Sequence, residues 1–253
     1  MGYANHTTGN DAHEEALKMQ TAFLKTISHE IRTPLNVIVG CCDVLSQPDC
    51  DTETREMLVV QLKRSIRNLL NFCDNAAFIN SLEAGSVTPR PNLFDVLFTI
   101  EFIYNSTKSL IVAEKRNAVC YVLNNELGSG HVRFYGDDGL ICRAVTLLVE
   151  NAIKFTEEGT VTLSAGFCTE RDGMEMLEIQ VSDTGIGIDK EYHADIFKKF
   201  WKAPQTGHKI YDGTGLGLTI VQGIVELLDG TVHMKSEPGR GSTFSVRFPV
   251  TTC

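Results

Sequence analysis

Apolar residues recur every seven positions early in the chain, at Leu17, Leu24, Ile31, Ile38 and Leu45. A seven-residue apolar repeat is typical of a helix that packs against other helices. The pattern therefore predicts one long helix from about Glu14 to Leu45. Proline at position 34 removes a helical hydrogen bond, so we expect the helix to bend there. Residues 1–13 are polar and without periodicity, and we expect them to form a tail or linker.

A second apolar pattern with the same spacing follows a turn at residues 47–52. Its members are Val59, Ile66 and Cys73 on one line and Leu62, Leu69 and Ala76 on another. They predict a second helix from about Glu53 to Glu83. Two long helices joined by a short loop form an antiparallel hairpin, which cannot bury both apolar stripes alone. We therefore expect residues 14–88 to form a dimerisation domain in which two hairpins make a four-helix bundle.

The pattern changes after Pro89-Arg90-Pro91, where helical and strand-like segments begin to alternate. The predicted helices are Leu93–Glu114, Gly139–Phe155 and Leu216–Leu228, with a helix or lid at Asp189–Trp201. The predicted strands are Val119–Leu123, Val161–Cys168, Leu177–Ser182, Thr231–Ser236 and Thr243–Phe248. This order predicts an α+β fold whose second domain, residues 89–253, is a two-layer α/β sandwich.

Composition narrows the class of protein. The chain has 253 residues, 43% of them hydrophobic and 22% charged, and a formal net charge of −9. The acidic balance argues against nucleic-acid binding. No apolar run approaches the roughly 20 residues that span a bilayer, so we expect no membrane segment here. The eight cysteines lack zinc-site spacing, and free thiols in a reducing cytosol are the expected state. We expect a cytoplasmic location for this part, whether or not the full-length protein is membrane-anchored.

One histidine lies off the apolar stripe. His29 follows Leu24 by five positions and falls at the outward edge of the predicted helix. Glu30 is its direct neighbour, and Thr33 lies one helical turn later. A neutral imidazole nitrogen is a nucleophile available near neutral pH. An exposed histidine without a role is the plain alternative, and only a matching site elsewhere in the chain decides against it.

Four short motifs in the second domain predict a nucleotide-binding site. In chain order they are Asn151–Thr156, Asp183–Gly187, Gly213–Leu218 and Gly239–Phe244. Glycines before a helix let backbone amides reach phosphate oxygens, where the helix dipole also helps. An amide oxygen is a suitable ligand for Mg²⁺. Each motif alone is compatible with an ordinary turn or helix end, but their joint occurrence favours a nucleotide.

Residues 28–35 and these four motifs together resemble the sensor histidine kinases, whose ATP-binding domain is shared with gyrase and MutL. The resemblance covers about residues 15–250, and Ile196–Phe200 resembles the phenylalanine box of that domain. It implies a homodimeric kinase that uses ATP and Mg²⁺ to phosphorylate His29. The phosphoryl group would pass to an aspartate of a receiver domain, and a receiver phosphatase activity is also implied. The sequence His-Glu-Ile-Arg-Thr-Pro-Leu-Asn at residues 29–36 resembles that motif in the hybrid kinases.

The resemblance implies roles for three catalytic residues. His29 would accept the γ-phosphate, and Glu30 would hydrogen-bond one nitrogen of its ring. Thr33 would align a water for removing phosphate from the receiver.

The resemblance also implies a set of nucleotide contacts. Asn151 would hold Mg²⁺, Lys154 would contact phosphate, and Asp183 would bind the adenine amino group. Residues 190–212 would form a flexible lid, with Lys202 as a loosely matched basic residue. The other implied contacts are Phe155, Gly185, Gly187, Gly213, Gly215, Leu216, Gly217 and Thr243.

One position departs from the family pattern. Many relatives have asparagine four residues before Asn151, and gyrase and MutL type ATPases have a glutamate there as base for the attacking water. This chain has Leu147, which can neither bind Mg²⁺ or phosphate nor act as a base for water. Glu150 is about 100° round the helix from Asn151, so we do not expect it to act as that base. Two alternatives stay open: a non-catalytic dimeric scaffold with a degenerate ATP site, and a plain ATPase of the same superfamily.

Overall fold

The computed structural model describes residues 7–113, 118–127, 132–170, 173–203 and 213–250. The chain divides into two compact units, residues 1–76 and 77–253. Among the described helices, none is both long and apolar enough to cross a membrane.

The first unit is made of two long helices. Helix α1 is Thr7–Leu45 and helix α2 is Thr52–Glu83, with the last residues of α2 counted in the second unit. Helix α1 begins at Thr7 rather than near Glu14 as predicted. An apolar stripe is needed for packing but not for helix formation, so the polar residues after Thr7 can extend the helix, which includes Gly9. Pro34 lies inside α1, which continues through it.

The start of α2 is fixed by a side chain. The carboxylate of Asp51 accepts hydrogen bonds from the backbone N–H of Thr54 at 2.8 Å and from its hydroxyl at 2.6 Å. A carboxylate in front of a helix satisfies an N–H that lacks a helical partner. These bonds stabilise the ionised form and lower the pKa of Asp51.

The helices of the first unit leave much apolar surface uncovered. Cys41 and Phe72 are buried within the chain. By contrast, Leu24 on the predicted stripe is 56% exposed and Ile66 on α2 is 41% exposed. Further exposed apolar residues on these helices are Leu35, Val39, Met57, Val60 and Leu70. A packing stripe that one chain leaves exposed is a surface for another copy or partner.

The second unit is an α/β sandwich. Its elements are β1 Asn92–Asp95, α3 Val96–Ala113, β2 Val119–Asn125, β3 Arg133–Gly136, α4 Asp138–Phe155, β4 Gly159–Thr169, β5 Glu175–Asp183, α5 Gly217–Leu227, β6 Thr231–Glu237 and β7 Gly241–Pro249. Five strands form one sheet in the order β2-β4-β5-β7-β6, with β2 and β4 parallel and the other pairs antiparallel. Strands β1 and β3 form a separate antiparallel pair.

The core lies between the five-stranded sheet and its helices. Alternate residues of β5, such as Leu177 and Ile179, are buried, and Val246 on β7 continues the same layer. Helix α4 turns a wide apolar face toward them, as its buried residues Ile141, Ala144, Val145, Leu148, Val149, Ala152 and Ile153 show. Helix α5 adds Ile220, Val221, Ile224 and Val225. A helix with one such face packs on a sheet and presents its other face to solvent or ligands.

Two short strands were not predicted from the sequence. Residues 92–95 form β1 rather than the start of a helix, and β3 lies in a segment predicted as neither helix nor strand. Strands of four residues offer too few alternating positions to be recognised, and their pairing joins distant parts of the chain. Asp95 then begins α3, because its carboxylate accepts the N–H of Phe98 at 3.2 Å. Residues 189–201 form turns and one short 3₁₀ helix at Lys190–Tyr192.

Candidate active site

His29 is an exposed side chain beside a carboxylate. Its side chain is 76% exposed and that of Glu30 is 18% exposed, with Nδ1 of His29 3.8 Å from Oε1 of Glu30. This distance exceeds that of a hydrogen bond but lies within the range of an ion pair. A carboxylate near Nδ1 favours the tautomer whose proton is on Nδ1. Nε2 is therefore the nitrogen suited to attack an electrophile.

Thr33 lies one turn after His29 on α1. Its hydroxyl donates a hydrogen bond to the backbone carbonyl of His29 at 3.2 Å. Pro34 has no backbone N–H, so the carbonyl of Glu30 lacks its usual helical donor. Thr33 and Pro34 thus modify the hydrogen bonding of the helical turn that carries the histidine.

Asp183 ends β5 as a buried carboxylate. Its Oδ1 accepts the backbone N–H of Gly185 at 2.8 Å and that of Ser242 at 3.3 Å. Asp183 is 9% exposed, and burial raises its pKa, while the two N–H donors oppose that change. Both bonds engage Oδ1 and leave Oδ2 as the acceptor for a donor group of a ligand.

The loop after Asp183 is shaped by two glycines. A Cβ at Gly185 would collide with the backbone carbonyl of Phe155, and one at Gly187 with that of Glu237. Gly187 also has φ +67°, a conformation that side-chain-bearing residues rarely adopt. The N–H of Ile186 donates to the Phe155 carbonyl at 3.3 Å. The end of α4 and the Asp183 loop are thereby held together as one wall.

A polar cradle lies between α4 and the start of α5. A Cβ on Gly217 would lie 3.6 Å from Nδ2 of Asn151 and 3.9 Å from Cδ2 of Leu147. A Cβ on Gly213 would collide with Nζ of Lys154. Glycine at both positions therefore leaves an amide and an ammonium group beside a helix N-terminus. Amide oxygen, cation and helix N–H donors form a set that suits the phosphates and Mg²⁺ of a nucleotide.

Gly215 and Leu216 directly precede helix α5 and set the path of the chain into it. Gly215 has φ +70°, and its carbonyl accepts the N–H of Phe200 at 2.9 Å. Leu216 is fully buried and provides no side-chain cap for α5. Phe200 itself has φ +60°, which strains a residue with a side chain. Residues 204–212 of the predicted lid lie outside the described part of the chain.

Thr243 is separated from the other predicted contacts. It follows Ser242 on β7, and side chains alternate between the two faces of a sheet. Ser242 pairs with Asp183 and shares its face, whereas Thr243 pairs with Ser182, with 2.9 Å between their hydroxyl oxygens on the opposite face. Ser242 is buried and its hydroxyl lies 3.0 Å from that of Ser236. Counting back by twos from buried Phe248 and Phe244 would have identified Ser242.

Glu150, which we do not expect to act as a hydrolytic base, has an unusual environment in the structure. It is partly buried on α4, and burial raises its pKa. Within the described ranges it makes neither a hydrogen bond nor an ion pair.

Comparison with known proteins identifies two domains in the chain. Residues 19–85 match the His Kinase A (phospho-acceptor) domain, and residues 136–252 match the histidine kinase-, DNA gyrase B- and HSP90-like ATPase. The chain belongs to the histidine kinase family. The hairpin of this histidine kinase holds His29, and its α/β sandwich is the ATP-binding domain.

Two curated relatives are similar over most of the chain. The kinase is 35% identical over 243 residues to the autoinducer 2 sensor kinase/phosphatase LuxQ of Vibrio vulnificus strain YJ016, which covers 94% of this chain and 27% of LuxQ. It is 30% identical over 239 residues to the sensor histidine kinase RcsC of Escherichia coli K12, covering 94% of this chain and 24% of RcsC. The chain thus spans about a quarter of the length of these relatives.

A solved structure shares the fold. The crystal structure of histidine kinase ThkA in complex with the response regulator TrrA matches with a TM-score of 0.68 at 20% identity. The match covers 99% of this chain and 68% of that chain.

Proposed function

We propose that this histidine kinase transfers the γ-phosphate of ATP to His29 and then to an aspartate of a receiver domain. The observation that carries the proposal is the pairing of two features in one chain. His29 is an exposed imidazole beside Glu30, and Asn151 and Lys154 line a glycine-bounded cradle at a helix N-terminus. An acceptor without a nucleotide site, or the reverse, would not support a kinase.

The chemistry at His29 follows from the tautomer that Glu30 favours. With its proton on Nδ1, the ring attacks the γ-phosphorus through Nε2. The Nε2–P bond forms as the bond to the bridging oxygen breaks, and ADP leaves with that electron pair. The imidazole becomes cationic in this step, and the carboxylate of Glu30 stabilises the charge. Phosphoryl transfer depends mainly on such positioning and charge neutralisation.

The nucleotide would be held by groups at the two ends of the cradle. Oδ2 of Asp183 would accept a hydrogen bond from the adenine amino group, with Phe155, Gly185 and Gly187 shaping the pocket. Lys154 would neutralise phosphate charge. Asn151 would hold Mg²⁺, which neutralises the phosphates and orients them when bound. The glycines before α5, with Leu216, would leave backbone N–H groups for phosphate oxygens.

A receiver phosphatase is a second activity, favoured by one residue. The hydroxyl of Thr33 lies one turn from His29 and is exposed. It could hydrogen-bond a water that attacks the phosphoaspartate of a bound receiver. LuxQ, which is named a sensor kinase/phosphatase, supports considering this second activity.

A homodimer completes the proposed enzyme. Leu24 and Ile66 belong to the seven-residue stripes but remain exposed within a single chain. Association of two hairpins would bury these stripes in a four-helix bundle.

The decisive experiment uses the variant His29→Gln. Incubation of the whole chain with labelled ATP and Mg²⁺ should give acid-labile, base-stable phosphate on the wild type and none on the variant, which should still bind ATP. A non-catalytic scaffold would show no labelling of the wild type. A plain ATPase would release phosphate without labelling itself. Undiminished labelling of His29→Gln would exclude His29 as the acceptor.

A further inference from the structure

A partly buried carboxylate that has no partner among the described residues needs a physical reason. Burying an ionised group costs free energy unless a hydrogen bond or an opposite charge compensates. Glu150 lies in the second half of α4, partly buried, and no described residue donates to it or pairs with it. Packing alone would favour an apolar residue at this position.

The position of Glu150 on α4 relates it to the phosphate cradle. At about 100° per residue, Glu150 is about 60° from Leu147 and about 40° from Lys154. It is about 160° from Leu148, which is buried against the sheet, and about 100° from both Val149 and Asn151. Leu147 reaches the same glycine of α5 as Asn151, so position 147 faces the cradle with an apolar side chain. Glu150 and Asn151 are therefore the two oxygen-bearing side chains one turn after this apolar position.

We propose that Glu150 supplies a carboxylate oxygen to the Mg²⁺ of the bound nucleotide, beside Asn151, in place of the amide that Leu147 lacks. The inference rests on the proposed ATP site. Carboxylates are preferred Mg²⁺ ligands, and glutamate has enough rotatable bonds to turn toward a neighbouring site. Without a metal, the same carboxylate repels the phosphates. Glu150 therefore strengthens nucleotide binding when Mg²⁺ is present and weakens it when Mg²⁺ is absent.

The test measures binding of a non-hydrolysable ATP analogue by calorimetry, with Mg²⁺ and with EDTA. Glutamine at position 150 keeps the shape but loses the charge. With Mg²⁺, Glu150→Gln should bind about tenfold more weakly than the wild type, the size of effect typical of losing one supporting group at a metal. With EDTA, it should bind as tightly as the wild type or more tightly, because the repulsion is gone.

A matched variant removes the same charge outside the cradle. Glu158 lies just beyond the end of α4 and is exposed, so Glu158→Gln should leave the ratio of the two affinities unchanged. Leu147→Asn restores the family amide, and in Leu147→Asn/Glu150→Gln the dependence on Mg²⁺ should return.

Three results would overturn the assignment. Equal affinities of Glu150→Gln and the wild type in both conditions would make Glu150 a solvated surface group. Tighter binding of the variant in both conditions would make it repulsive only. If adding Leu147→Asn to Glu150→Gln did not restore the Mg²⁺ dependence, Glu150 would not act in place of the amide that Leu147 lacks. Absence of any nucleotide binding by the wild type would instead reject the proposed function.

Discussion

At the scale of single residues, the two proposed ends of the reaction have opposite environments. His29 is exposed and must meet both a nucleotide and a receiver, whereas Asp183 is buried and fixed by two backbone N–H groups. Exposure suits a group that passes a phosphoryl group on. A fixed orientation suits a group that recognises one edge of a base, because the acceptor is already oriented before the ligand binds.

Replacement of Asp183 by asparagine should weaken nucleotide binding. ATP and ADP should lose affinity alike, since the side chain would meet the base and not the γ-phosphate. Losing one hydrogen bond to a charged group costs about 1.5–3 kcal/mol, roughly ten- to a hundredfold in the dissociation constant. Calorimetric titration with both nucleotides checks this. A loss confined to ATP would move Asp183 from the base to the phosphates.

The same variant should not destabilise the free protein. Burial raises the pKa of Asp183 above 3.8, so folding favours its protonated form. Its contribution to stability is then greatest below the ordinary pKa and is lost as pH rises through the raised value. An asparagine side chain cannot ionise, so Asp183→Asn should unfold at pH 7 with a free energy equal to or above that of the wild type. Denaturant titrations at pH 7 and pH 4 should show the difference shrinking at the lower pH.

Thr33 should govern phosphate removal more than phosphate gain. Thr33→Ala leaves His29 and Glu30 unchanged, and alanine favours a helix, so self-labelling should stay within about twofold. Dephosphorylation of a cognate receiver should slow, because the attacking water loses its hydrogen-bond partner. Both rates are measured on one preparation. An equal fall in both would assign Thr33 a purely structural role in the turn before Pro34.

At the scale of elements, the sequence predicted the long or strongly patterned segments and missed those defined by pairing. Helices α2, α4 and α5 fell within a few residues of their observed bounds because their apolar positions repeat. The four-residue strands β1 and β3 pair only with each other among the described strands, and a local sequence pattern does not reveal such a pairing. The position of Thr243 depends on pairing in the same way: only the register with β5 shows that Thr243 pairs with Ser182 and Ser242 with Asp183.

The turn between β5 and the lid should tolerate no side chain at Gly187. Gly187→Ala would force alanine into φ +67° and against the backbone of Glu237. Gly239 is a matched control, because it has φ +73° but open space around it. Gly239→Ala should cost only the conformational penalty of about 1–2 kcal/mol. Gly187→Ala should cost more and should also weaken nucleotide binding. Equal free energies of unfolding for the two variants would show that the backbone contact is unimportant.

At the scale of the whole molecule, the two units divide the work. All proposed nucleotide contacts lie in residues 77–253, whereas His29 and the uncovered apolar stripes lie in residues 1–76. The sequence predicts a domain boundary at Pro89–Pro91, where the apolar period changes, whereas the two compact units divide between residues 76 and 77. The proposed dimer can be tested by placing a charge on an exposed stripe.

A lysine on the exposed stripe should produce a monomer that still binds nucleotide. Ile66 is 41% exposed on α2, and burying a lysine there against a second hairpin would leave a charge unpaired. Sedimentation should show a dimeric wild type and a monomeric Ile66→Lys of unchanged helix content.

Val122 is 38% exposed on β2, outside the helical stripes, so Val122→Lys should remain dimeric and control for the added charge. Both variants should bind an ATP analogue as the wild type does, since neither residue is one of the proposed nucleotide contacts. A dimeric Ile66→Lys would place the interface elsewhere, and lost nucleotide binding in that variant would show that the ATP-binding unit depends on the bundle.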